Sequence, residues 1–156
     1  MKIHGQRPAP PKPEVVVIPR ESGEIVFTCK PVFDFSPFEK MCPPPKPPLI
    51  RHASGEKVHD INDPKFEEQL IDRSKKRTAW MIIKSIEDTE GLEWENVKLN
   101  KPSTFESVYD ELRDASFSQV EINYLVTKIM SVSSMDEERL EQARKNFIAT
   151  QAQPKE

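Results

Sequence analysis

Proline lacks a backbone N–H and fixes φ, which excludes it from helix interiors and central strands. Twelve of the 15 prolines in this 156-residue chain lie within residues 1–50. Helix is therefore expected mainly beyond residue 50, with strand, turn and extended chain before it. Charge divides at the same place. Residues 1–50 hold seven Lys/Arg and five Asp/Glu, a net of +2, and residues 51–156 hold 16 and 21, a net of −5. The pattern predicts an α+β fold: an N-terminal β-hairpin and a Pro-rich extended arm, followed by a small four-helix C-terminal domain.

Residues 1–13, with "RPAPPKP", read as a flexible or polyproline-like arm. Its opening stretch "MKIHGQRPAPPKPE" has no apolar h-region of a signal peptide. Residues 14–32 read as a hairpin. The β-branched runs "EVVVIPR" and "EIVFTCKPV" flank "ESGE", and predict strands over 14–19 and 24–32 with Ser22-Gly23 at the turn. Pro19 marks the first strand as an edge or its end. A lone two-stranded hairpin is marginal in water, so something must cover this one.

Residues 33–59 are expected to be a Pro/Phe-rich extended linker arm; "FDFSPFEKMCPPPKPPLI" has no helical or strand periodicity, and "RHASGEKVHDIN" reads as loop or short strand. Phe33, Phe35 and Phe38 are its aromatic anchors, and each can bury a large area. They dock either on this chain's own helices or on a neighbouring chain. Pro43, Pro44, Pro45, Pro47 and Pro48, in "CPPPKPP", are a spacer between hairpin and helices or an SH3-type polyproline ligand. These eight residues are the candidate partner-binding set.

The helices are expected within residues 60–150, as a domain able to fold alone, with residues 151–156 a tail. Asp63-Pro64 is an N-cap followed by proline at the first helical position. The run from there to Gly91 is polar in its first half and apolar nearly all round between Ala79 and Ile86, which predicts burial of the second half. Its basic stretch "RSKKR", Arg73 to Arg77, reads as a solvated face paired with Asp72, Glu67 and Glu68. Trp94 and Leu92 are expected to tether the following connection. Ser103-x-x-Glu106, Ser118-x-x-Glu121 and Ser134-x-x-Glu137 fit the capping box, in which the Ser hydroxyl and the Glu carboxylate satisfy backbone N–H groups. Helices are expected over 104–115, 119–131 and 135–149, the last with a Leu140, Ala143, Phe147 stripe. Phe117 and Ile122 fit a hydrophobic staple.

Several function classes find no support. A net charge of −3 does not point to nucleic acid or a membrane surface. No apolar run approaches the length of a membrane span. Two cysteines, Cys29 and Cys42, and three scattered histidines make a poor metal set, and reduced thiols are expected. With four glycines there is little material for phosphate-cradling loops, and no nucleophile, P-loop or dinucleotide motif is present. No enzyme, cofactor or metal role is expected. What is left is binding or structure.

Three stretches carry a family resemblance: "IVFTCKPVFDFSPFEKMCPPPKPP", "DPKF…RTAWMIIKSIEDTEGLEWE" and "PSTFESVYDELRDASFSQVEINYLVTKIMSVSSMDEERLEQARKNF". In order and composition the chain resembles small proteins from the structural-gene modules of tailed bacteriophages. Its C-terminal half is similar to the helical tail assembly chaperones of long-tailed phages. The resemblance implies a non-enzymatic morphogenesis protein that binds tail-tube, tape-measure or capsid and neck subunits, or further copies of itself. It implies work in the host cytoplasm during assembly. The Pro-rich arm departs from a minimal helical chaperone and suits a subunit that stays in the virion. A host-directed peptide-binding module is the third class.

Overall fold

The computed structural model describes residues 2, 5–7, 12–134, 141, 142, 144 and 145. The fold is α+β, with an N-terminal two-stranded hairpin and, among the described residues, four α-helices. Strands β1 (Glu14–Arg20) and β2 (Gly23–Cys29) pair antiparallel, with Val17 opposite Val26. The turn residues are Glu21 and Ser22, one position earlier than expected. Gly23 follows at φ 132°, a conformation L side chains rarely adopt. Strand alternation sends Val16, Ile18, Phe27 and Cys29 inward and leaves Val15, Val17 and Val26 exposed. β2 stops at Cys29 rather than at residue 32. Lys30 leaves the ladder to bond the long helix: its N–H donates to the Ser85 carbonyl at 2.8 Å, and the buried Ser85 hydroxyl donates to the Lys30 carbonyl at 2.7 Å.

The segment over residues 33–59 is not extended throughout. Helix α1 (Ser36–Met41) interrupts it, and a small antiparallel pair, β3 (Leu49–Arg51) and β4 (Lys57–His59), follows the prolines. The Asp34 carboxylate accepts from the Ser36 N–H at 2.8 Å and orders the entry to α1. Pro37 tolerates the first turn because the N–H it lacks has no helical acceptor there. Six residues are too few to show a helical period in sequence.

Helix α2 (Pro64–Ile86) begins where its cap predicts, with the Asp63 carboxylate accepting from the Phe66 N–H at 2.9 Å. Its 23 residues span about 35 Å. Only the second half is buried, as the apolar run from Ala79 indicates. Helix α3 (Ser107–Asp114) packs on α4 (Gln119–Ser133), and α4 packs beside α2.

Of the three capping boxes, the one at Ser118 is present with both reciprocal bonds, and its staple residues Phe117 and Ile122 are buried. The Ser103 box does not form. Pro102–Thr104 is a 3-10 turn, so Ser103 lies inside a turn and α3 starts at Ser107 without a side-chain cap. The Thr104 hydroxyl bonds the carbonyls of Lys98 and Lys101 instead. The third box joins Ser134 to Glu137, and Glu137 and most of the expected helix 135–149 lie outside the described residues; residues 141, 142, 144 and 145 are helical.

One apolar core runs through the molecule. Val16, Ile18, Phe27 and Cys29 of the hairpin join Phe38 of α1, Ala79 to Ile83 and Ile86 of α2, Val108 and Leu112 of α3, and Ile122, Leu125, Ile129 and Val132 of α4. The inward face of the hairpin and the helices within residues 60–150 thus share one core. The inward hairpin face is apolar and lies on α2 and α4, where each large aliphatic or aromatic side chain contributes about 1.5–3 kcal/mol on full burial.

Candidate functional site

The candidate partner-binding residues fall into three environments. Phe38 is completely buried, with its ring centroid 5.8 Å from Trp80 and the Arg73 guanidinium 5.3 Å above it. Phe35 is half-buried between Trp80, at 5.5 Å, and Arg77, whose guanidinium stands 3.9 Å over the ring. Phe33 is 64% exposed. Of the three anchors proposed for a partner, Phe38 thus belongs to the chain's own core, because α1 turns it onto Trp80. Phe35 is largely engaged in the same way, and Phe33 alone stands free in solvent.

The proline run starts from that anchor. Arg73 donates through Nε to the Cys42 carbonyl at 2.8 Å and forms an ion pair with Glu39. Pro43 and Pro45 then border a shallow groove of about 210 Å³ with Gln69, Asp72, Arg73 and Lys76 of α2. Pro43, Pro44 and Pro48 are exposed, and Pro45 and Pro47 are half-buried. At the far end the Asp60 N–H donates to the Pro48 carbonyl at 2.8 Å, and the His59 ring lies 3.3 Å from the Pro47 carbonyl. The run therefore leads away from α2 into β3–β4 and returns through residues 60–63. β3–β4 makes its substantial contacts only within itself among the described elements. It carries Leu49, 59% exposed, and Ile50, 44% exposed.

A second apolar surface is the outward face of β1–β2, made by Val15, Val17 and Val26. The candidate set omits it. The signal was in "EVVVIPR", which is apolar without alternation, as strands are when both faces have something to cover.

Three of the four cations of the basic stretch are committed within the chain, and Lys75 has no ionic partner among the described residues. Lys76 pairs with Asp72 at 2.6 Å, Arg73 with Glu39, and Arg77 stacks on Phe35. Glu67 and Glu68 take no part.

Two carboxylates hold the scaffold in place by links that did not stand out in sequence. Glu121 caps α4 and also pairs with Arg20 at the end of β1, whose guanidinium lies 5.1 Å over Phe117. Hydrogen bonds from Arg20 and the Ser118 backbone hold its carboxyl at about 2. Glu111 of α3 accepts from the backbone N–H groups of Glu95, Asn96 and Val97 at 2.7–2.9 Å and pins the connection after α2. Leu92 and Trp94 on that connection are partly buried against the core, the tether expected of them.

Cys29 and Cys42 are free thiols. Burial pushes Cys29 up to about 11, with Glu14 adding to the shift, and burial also raises Cys42. Neither is poised as a thiolate nucleophile at neutral pH. The described residues contain no cluster of three or more metal-ligating side chains, and no helix among them is long and apolar enough to cross a membrane.

The arrangement defines an α+β scaffold with exposed aliphatic side chains on two hairpins. No family model, curated protein or solved structure matches the chain.

Proposed function

We propose that this chain is a non-enzymatic adaptor of bacteriophage morphogenesis, acting in the manner of a tail assembly chaperone by binding other structural subunits. The observation that carries the reading is the projecting β3–β4 hairpin. Its strands are three residues each, it makes its substantial contacts only within itself among the described elements, and it presents Leu49 and Ile50 to solvent. A hairpin of that size is marginal alone and gains order when a partner covers it. The polyproline run at its base spans about 3.1 Å per residue and loses little entropy on docking, which suits an arm that reaches a neighbouring subunit. Phe33, ahead of α1 in the chain, adds a further exposed apolar side chain.

The experiment is quantitative mass spectrometry of this chain across assembly intermediates and purified particles from an infected host. Enrichment on tail intermediates with loss from finished particles is the expected result. Stoichiometric retention in particles would make it a virion subunit held by its arm. Absence from both would end the morphogenesis reading.

A further inference from the structure

The first half of α2 lies outside the core. Burial on this helix begins at Ala79, and residues 64–74 extend beyond it by roughly 15 Å. One face of that projection has an ordered charge pattern. Glu67, Ile71, Lys75 and Thr78 follow at intervals of four, four and three, so they share a face, with Glu68 and Ser74 at its flanks. It is acidic toward the helix start, apolar at the centre, where Ile71 is 52% exposed, and basic toward the core. Of the other charges nearby, Asp72 is taken by Lys76, Arg73 by Glu39 and Arg77 by the Phe35 ring, while Lys65 lies on a different side of the helix from Ile71. Among the described residues, Glu67, Glu68 and Lys75 meet no ionic partner. Because the sign reverses about Ile71, the face complements itself when two such helices run antiparallel.

We propose that this face of α2 is a homodimer contact. A second copy of the chain lays its α2 antiparallel across a two-fold axis at Ile71, with Glu67 and Glu68 of each copy opposite the partner's Lys75. The contact is isologous, so every charge pair occurs twice and the assembly closes at two. Parallel pairing would set carboxylate against carboxylate and ammonium against ammonium, and is disfavoured. Beside the face, an open groove of about 420 Å³ is bounded by Ser74, Lys75, Thr78, Glu106 and Tyr109. The antiparallel register lays the start of the partner's α2 along that groove, so the contact extends beyond the helix pair. This inference is independent of the adaptor role.

Sedimentation of the full-length chain over a range of concentrations tests it. The expected result is a reversible dimer that weakens as salt is raised. Lys75→Glu makes the face wholly acidic, and Glu67→Lys with Glu68→Lys makes it wholly basic. Each variant alone should weaken self-association about tenfold or more, since complementary pairs become repulsive ones. An equimolar mixture of the two should form a heterodimer, a result that misfolding of either variant cannot produce. A wild-type chain that stays monomeric at every concentration overturns the proposal. So does a dimer of undiminished affinity in either variant alone, or a mixture that stays monomeric. If wild-type chain associates but neither variant weakens it, another surface is the contact.

Discussion

The β1–β2 and β3–β4 hairpins are both antiparallel and both carry aliphatic side chains, yet only β1–β2 contributes to the core. Its strands are seven residues long and present Val16, Ile18, Phe27 and Cys29 to one side. It is also tied at both ends. Arg20 pairs with Glu121 near the turn, while Thr28 and Lys30 bond Thr89 and Ser85 at the exit from β2. The strands of β3–β4 are three residues long, with Leu49, Ile50 and Arg51 all exposed. It is held to the flanking chain at its base, by bonds to the carbonyls of Pro47 and Pro48. The difference teaches that a hairpin becomes scaffold when one face is long enough to seal helices and its ends are anchored. A short one, held only at its base, keeps its apolar groups available for another molecule.

The strongest way to break this contrast is to delete the hairpin said to be scaffold. Residues 60–150 alone would expose the α2 and α4 side chains now covered by Val16, Ile18 and Phe27. We expect loss of the cooperative thermal transition followed by circular dichroism. A sharp transition would show that the helices form a core by themselves.

Next in size is the contrast between anchors. Phe38→Ala should cost about 3–5 kcal/mol in denaturant unfolding, because it leaves a cavity beside Trp80. Phe33→Ala should fall within about 0.5 kcal/mol of wild type. Equal effects would mean that the aromatic segment is not divided between core and surface.

Ser118→Ala should cost about 0.5–2 kcal/mol, since the Glu121 N–H loses its acceptor at the start of α4. Ser103→Ala should cost much less, because no capping box forms at that serine. A comparable loss there would contradict the 3-10 turn.

The hairpin anchor should also show in acid. The Glu121 carboxyl lies at about 2 in the folded chain, below its ordinary value of 4.5. The folded state thus binds this proton less readily than the unfolded state. The stabilisation is complete above 4.5 and is lost as pH falls toward 2. Glu121→Gln should flatten the pH dependence of the melting temperature in that window. An unaltered profile would show that the pair with Arg20 does not hold the hairpin.

The smallest expected effect is on the other hairpin. Leu49→Ser with Ile50→Ser should shift unfolding by no more than about 0.5 kcal/mol, since both side chains already face water. A larger loss would make β3–β4 part of the scaffold after all.

Much of this fold was legible from short-range rules. Asp63 and Ser118 announce their helices because a cap and the N–H it satisfies lie three residues apart, within reach of any sequence reading. The apolar run from Ala79 to Ile86 needed no partner to be recognised as buried, and "EVVVIPR" needed none to be recognised as strand. Ser103 shows the limit, for the same motif was pre-empted by Pro102 and the 3-10 turn it starts. Phe33, Phe35 and Phe38 are alike in one dimension. Only the placement of α1 against Trp80 made one of them core and left another in water. Arg20 and Glu121 are 101 residues apart, and nothing local pairs them. The exposed candidate surface follows from the same physics. The chain by itself determined where the long strands and the capped helices lie, because backbone geometry and capping are local, but not the short helix α1. The tertiary structure alone decided which apolar side chains were left over, because burial depends on which distant faces meet first and on what remains for a partner to cover.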